Sequence, residues 1–137
     1  AYERALRILT LRDHGTAELR KKLLRKGHSE EDVTEAIEKL EELGYLDDQR
    51  VARRAIESIL RRRKGLIAAK SWLYRHGFGR ELVEGLLSEE EYHLQERESC
   101  ELACERLADN AKDLWKKLQR RGFRDRTIAK VLKEDAH

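Results

Sequence analysis

The sequence predicts an all-α protein of three tandem three-helix units, helix-turn-helix-like repeats in an extended, curved arrangement. The first observation is a recurring pattern, Leu-x-Arg-basic-Gly-ring, at Leu23–His28, Leu73–Phe78 and Leu118–Phe123. Repetition at intervals of this length marks one small supersecondary unit stacked in series. The second is the absence of proline and the restriction of glycine to 8 of 137 residues, which suits a chain that is nearly all helix. The third is the balance of 42% charged and 39% apolar residues, which confines any core to narrow helical stripes.

The repeat extends beyond the pattern. Leu19, Ala69 and Leu114 stand four positions before its Leu; Val33, Val83 and Ile128 stand six after its Gly. Ile37, Leu87 and Leu132 stand ten after it, and Ala5/Leu9, Ala55/Ile59 and Cys100/Cys104 stand upstream. Each unit therefore reads helix, helix, Gly, helix, with boundaries at 1–45, 46–88 and 89–137. A helix C-terminus often needs positive φ, which Gly27, Gly77 and Gly122 reach without steric penalty. The basic pairs before them have a local explanation too, because cations favour the last helical turn.

The first helix is expected from Glu3 to His14, with Ala5 and Leu9 on its packing face. Gly15 ends it, and Thr16 is positioned to cap a second helix from Ala17 to Lys26. Ser29 followed by three acids resembles a capping box, and Val33, Ile37 and Leu40 share one face of the helix behind it. Asp47 is the expected cap of a helix from Asp48 to about Arg63, with Tyr45 and Leu46 stapling the second unit to the first. Two further helices complete that unit. The third unit opens with a helix of roughly 30 Å, Glu89 to Ala108. Helices from Asn110 to Arg121 and from Asp125 to Lys133 follow, with a frayed tail.

Charge alternates in blocks. Residues 1–28 carry 8 basic and 3 acidic groups, 29–49 carry 1 and 9, 50–80 carry 10 and 1, 81–109 carry 2 and 10, and 110–137 carry 9 and 4. Helices of opposite sign packing together would account for this. So would basic elements lining a surface for a polyanion while acidic ones face a protein partner. On the helix from Asp48, the residues Arg50, Arg54 and Arg61 lie opposite the apolar side, with Arg53 and Lys64 flanking and Glu57 the only acid. This stripe, about 20 Å long, is the leading phosphate-binding candidate.

Signs of catalysis are missing from the sequence. It has no Gly-Lys-Ser/Thr phosphate loop, no His-Glu-x-x-His and no Gly-x-Ser-x-Gly. His93, Cys100 and Cys104 fall on one helix face but are too spread to converge on an ion, and the cysteines occupy core positions of the repeat. Trp72 and Trp115 sit close to the packing face, which makes them core residues rather than base-stacking platforms. No apolar run of 18 residues and no signal segment occurs, so a soluble, cytoplasmic protein is expected. A natural chain begins with Met, so residues preceding Ala1 are expected.

The run Gly44-Tyr45-Leu46-Asp47-Asp48-Gln49-Arg50-Val51-Ala52 resembles the signature of the RecX family, bacterial regulators of the RecA recombinase. Ala5–Leu9, Arg12-Asp13-His14, Glu18–Leu23 and Arg120–Phe123 are consistent with it. The resemblance covers nearly the whole chain, more loosely in the middle unit. It implies three three-helix units and a place in DNA repair, homologous recombination and the SOS response. The implied task is to bind within the groove of a RecA–DNA filament and restrain ATP hydrolysis and strand exchange. It implies no catalytic site and no cofactor. The expected partners are the RecA filament and single- and double-stranded DNA, met through phosphate contacts by a monomer. The expected contact residues are Arg50, Arg53, Arg54, Arg61, Arg63 and Lys64, supported by Arg20, Lys21, Lys116, Lys117, Arg120 and Arg121. A free-standing helix-turn-helix-like DNA-binding protein and a helical adaptor with solvated charges are the alternatives.

Overall fold

The computed structural model describes residues 1–107 and 110–135. Their helices are α1 (Tyr2–Leu11), α2 (Thr16–Arg25), α3 (Glu30–Glu42), α4 (Asp48–Arg61), α5 (Leu66–Arg75), α6 (Arg80–Leu87), α7 (Glu90–Leu107), α8 (Ala111–Arg120) and α9 (Asp125–Asp135). The expected helix end at Ala108 and the last two residues of the tail lie outside the described residues, while α9 continues past Lys133 to Asp135.

Three apolar clusters form in series. One gathers Ala5, Leu19, Leu23, Val33, Ile37 and Leu40; the second gathers Ala52, Ile56, Ala69, Leu73 and Val83; the third gathers Cys100, Leu118, Phe123, Ile128 and Val131. The repeat positions Leu19/Ala69, Leu23/Leu73/Leu118 and Val33/Val83/Ile128 have no exposed surface. The register on the first helices differs from expectation. Ile8 rather than Leu9 accompanies Ala5 inward, and Ala55 is only half-buried beside Ala52 and Ile56. The first two clusters are each closed by a residue from the next unit's segment: Leu46 completes the first and Tyr92 the second. Leu46 thus acts as a staple, whereas Tyr45 is 55% exposed and does not.

Gly27, Gly77 and Gly122 take positive φ (93°, 83° and 82°) and end α2, α5 and α8 as the repeat requires. The end of α4 uses the same geometry without glycine. Arg63 stands at φ 60°, with its N–H on Leu60 O at 3.1 Å and the Lys64 N–H on Ile59 O at 3.2 Å. Ser29 and Asp47 cap α3 and α4 by accepting from the Asp32 and Arg50 N–H groups, each at 3.2 Å.

Two expectations for the first unit are corrected. α1 ends at Leu11 because Arg12 turns fully extended, and His14, instead of closing the helix, folds inward at 2% exposure with Nδ1 on Arg12 O at 2.9 Å. Thr16 does not cap α2. It is the first helical residue, and its own N–H and hydroxyl donate to Asp48 Oδ1 at 2.7 and 3.0 Å.

That cap from α4 belongs to a repeated joint between units. α2 and α5 begin at Gly15 and Gly65, neither of which offers a side-chain cap. A helix start leaves N–H groups unpaired, and here the following unit supplies the acceptors. At the first joint Asp48 accepts from Thr16. At the second, Glu96 accepts the Leu66 N–H at 2.8 Å, Arg121 O accepts Gly65 N–H at 3.0 Å and Gly122 O accepts Ile67 N–H at 2.9 Å. A Cβ on Gly15 would stand 2.8 Å from the Phe78 ring, and one on Gly65 would stand 2.4 Å from Gly122 O and Phe123 Cα. Only glycine permits these approaches. Phe78 and Phe123, the ring residues after the second and third repeat glycines, therefore seat against the preceding unit. α8 is capped from within, by Asn110 Oδ1 on Asp113 N–H at 3.0 Å.

Candidate polyanion interface

Glu96 anchors the second joint. Fully buried on α7, it accepts from Leu66 N, from Arg124 N at 3.3 Å, from Arg124 Nε at 2.7 Å and from the Thr127 hydroxyl. Ser99, also on α7, donates to Leu60 O at 2.7 Å. These bonds and the Gly65–Arg121 contact bring the α4–α5 turn beside the α8–α9 turn. Arg61, Arg62, Arg63 and Lys64 thus meet Arg120 and Arg121, cations nearly 60 positions apart in the chain. Among the described residues no carboxylate lies within ion-pair distance of any of the six. Arg61, Lys64 and Arg120 are exposed, while Arg63 and Arg121 are half-buried with their Nε atoms unbonded.

The stripe on α4 is corrected in its lower half. Its apparent lack of acidic partners holds only within the helix. Arg53 makes a two-pronged pair with Glu89, both bonds 2.8 Å, and reaches Tyr92 OH at 3.1 Å. The bonds to Glu89 and then Tyr92 raise the Arg53 pKa above its ordinary value. For Glu89 the Arg53 bond outweighs desolvation and lowers its pKa. Arg54 pairs with Asp13 of the first unit. Arg50 is half-buried, with Nη1 3.5 Å from Gly44 O. Arg53 and Arg54 are therefore engaged in joining units, and the exposed cations without a carboxylate partner among the described residues lie at the C-terminal end of the helix.

The supporting cations divide as well. Arg20 donates to Thr34 Oγ1 at 3.3 Å within the first unit. Lys116 is exposed on α8, and Lys117 is half-buried on the same helix. Lys21 lines a cleft of about 300 Å³ between α2 and the end of α5, together with Lys22, Arg25, Arg75 and His76. The last four are absent from the expected contact set. The signal for Arg25 and Arg75 was present in the repeated basic pairs, but helix-terminal cations have a sufficient local role and conceal a shared one.

Beside this cleft, burial lowers the His14 pKa, Arg12 and Lys22 adding to the effect. Lys22 Nζ donates to His14 Nε2, so the ring carries its proton on Nδ1, which donates to Arg12 O. Glu18 is driven up by burial, but the Arg12 bond and the nearby cations prevail and lower it. Cys100 is buried and its thiol pushed far up by desolvation, with Cys104 adding to it. That is the state of a core residue rather than a nucleophile. His93 is bonded through Nε2 to Leu87 O at 2.9 Å. Among the described residues no group of three metal-ligating side chains converges, and no helix is long and apolar enough to cross a membrane.

A serial stack of three-helix units with cations gathered at its joints defines an all-helical repeat protein. Residues 1–40 match the family model described as RecX, first three-helix domain. The chain is 33% identical to the regulatory protein RecX of Pelodictyon phaeoclathratiforme over 135 residues, covering 94% of this chain and 84% of that one. It is 32% identical to that of Legionella pneumophila, covering 98% and 93%. The crystal structure of RecX from Lactobacillus salivarius superposes with a TM-score of 0.85 at 22% identity, across 97% of this chain and 92% of that chain. The chain belongs to the RecX family of regulatory proteins.

Proposed function

We propose that this protein regulates the RecA recombinase by binding the RecA–DNA filament and inhibiting its ATP hydrolysis and strand exchange. The observation that carries this reading is the gathering of Arg61–Lys64 with Arg120 and Arg121 at one joint without carboxylate partners among the described residues. A patch assembled from two units attracts a polyanion, and the phosphate backbone of filament DNA presents one. Acidic faces, above all Glu30, Glu31, Asp32 and Glu35 at the start of α3, are suited to basic protein surface. The role is that of a binding protein, not an enzyme, acting in the cytoplasm as a monomer on single- or double-stranded DNA held by the recombinase. Within the expected contact set, Arg61, Arg63, Lys64, Lys116, Arg120 and Arg121 meet the polyanion, and Lys21 supports them. Arg53 and Arg54 act indirectly, by holding the units in register.

The test is RecA-dependent ATP hydrolysis on single-stranded DNA with this protein titrated in, and DNA binding measured beside it at the same salt. Inhibition at concentrations where free DNA is barely bound is the expected outcome. Inhibition only where the protein already coats the DNA, or none at all, would refute filament-directed regulation and favour a free-standing DNA-binding protein.

A further inference from the structure

The cleft at the first joint holds more cationic charge than the fold itself uses. α2 contributes Lys21, Lys22 and Arg25 to one wall, and the end of α5 contributes Arg75 and His76 to the other. The walls are held close: a Cβ on Gly77 would stand 2.8 Å from the Ala17 Cβ. Glu18, the acid lining the cleft, is already engaged by Arg12, with His14 Nε2 and Lys22 Nζ each 3.7 Å from its carboxylate. Lys22 is further tied to His14. Lys21, Arg25 and Arg75 are left without a carboxylate partner among the described residues. Like charges converging from two helices repel one another, and Glu18, already shared by Arg12 and Lys22, offsets that repulsion only in part. His76 is fixed in place, its ring stacked on Trp72 at 3.7 Å and its Nδ1 on Trp72 O at 2.8 Å, so the α5 wall is preorganised.

We propose that this cleft binds a backbone phosphate of nucleic acid, a proposal that rests on the nucleic-acid part of the function above. Cations approaching from two walls suit a tetrahedral anion with several acceptor oxygens better than a planar carboxylate with two. The volume of about 300 Å³ accommodates a phosphodiester with its flanking sugars outside, and is small for a folded acidic segment. The second joint repeats one wall of this arrangement, while Ser71 and Trp72 stand at the repeat positions of Lys21 and Lys22. Arg120 and Arg121 occupy the repeat positions of Arg75 and His76, again beside a glycine packed against the preceding unit, there Gly122 on Ala68. Equivalent cationic points in series match a polymer whose charges recur along its length.

The test uses the full chain and a fluorescently labelled DNA oligonucleotide, with affinity measured by anisotropy across a series of salt concentrations. The variants are Lys21→Gln/Arg75→Gln together, Arg25→Gln alone, and Arg7→Gln as an exposed control away from both joints, each checked by its melting curve. For the double variant the expected results are at least a fivefold loss of affinity at low salt and a fall of about 1 in the slope of log K against log salt, close to one lost phosphate contact. Arg25→Gln should lose affinity in the same direction, and the control should match the parent. If the parent binds DNA and both cleft variants bind it identically, the cleft proposal falls and the broader reading stands. If the parent binds no DNA, the nucleic-acid part of that reading fails and the cleft proposal with it. Unchanged DNA binding with lost inhibition of RecA would assign the cleft to an acidic protein surface and overturn the proposal.

Discussion

Replacing Glu96 with Ala should remove the pin between the second and third units. The carboxylate is wholly buried and accepts from the α5 N-terminus, from the Arg124 backbone and guanidinium, and from Thr127. Arg124 is itself only 24% exposed. Alanine leaves that guanidinium without its counter-charge and the Leu66 N–H without an acceptor, in a region water reaches poorly. Breaking a buried ion pair from one side costs about 3–5 kcal/mol, and the lost helix cap places the expected value near the middle of that range, about 4 kcal/mol. Glutamine retains one carbonyl acceptor but turns an NH₂ toward existing donors, so Glu96→Gln should cost about 2 kcal/mol. Urea unfolding of the whole chain measures both. With a slope of about 2 kcal/mol per molar, Glu96→Ala should lower the midpoint by about 2 M. A Glu96→Ala midpoint within about 0.5 M of the parent would refute the assignment. So would a double-mutant cycle with Arg124→Ala in which the two losses simply add, because groups sharing one network must couple.

Asp48→Ala should destabilise the first joint by about 1 kcal/mol, the worth of a helix cap; unchanged urea unfolding would mean that the Thr16 contact contributes nothing. Arg63→Gly should stabilise the chain by about 1 kcal/mol by relieving a positive φ in a non-glycine residue, and a lowered melting temperature would show that the arginine side chain anchors the turn. His14 contributes acid sensitivity of definite sign. Its folded pKa lies below the ordinary 6.5 because of burial, so the unfolded chain binds the extra proton. Stability is then complete above about pH 6.5 and declines as pH falls from there toward the folded pKa. An NMR titration placing the His14 midpoint at or above 6.5 would contradict this.

Local rules were readable and long-range pairings were not. The caps at Ser29 and Asp47 bond three residues ahead, so their identity follows from a few neighbouring letters. The three repeat glycines and the fully buried Leu23, Leu73 and Leu118 followed from the same kind of short-range pattern. Thr16 was misread because the group capping α2 stands 32 positions later. Glu96 was hidden because it is one of ten acids between residues 81 and 109, and composition does not single out the buried one. Helical periodicity could not show that Arg53 and Arg54 are neutralised, because a helical wheel describes one helix while Glu89 and Asp13 lie on other elements. Arg63 carries a turn geometry normally signalled by glycine, so that signal was absent.

The joints nevertheless leave a trace in the sequence. Gly15 and Gly65 stand where helices ordinarily begin with Ser, Thr, Asp or Asn, and a helix start without its own cap must find acceptors elsewhere. In a chain of serial units the acceptors lie in the next unit, and the acid-rich segments that follow, 29–49 and 81–109, contain Asp48 and Glu96. The alternation of charge therefore has a structural origin at these two positions, since acids of one unit cap and neutralise the elements of another. Among the described residues the compensation at the joint surfaces is incomplete, leaving Lys21, Arg25 and Arg75 at the first and Arg61–Lys64 with Arg120 and Arg121 at the second. Arg75 and Arg120 occupy equivalent repeat positions. The proposed polyanion contact accounts for cations kept at both joints, because removing them would relieve repulsion without touching the Asp48 and Glu96 bonds that hold the units together.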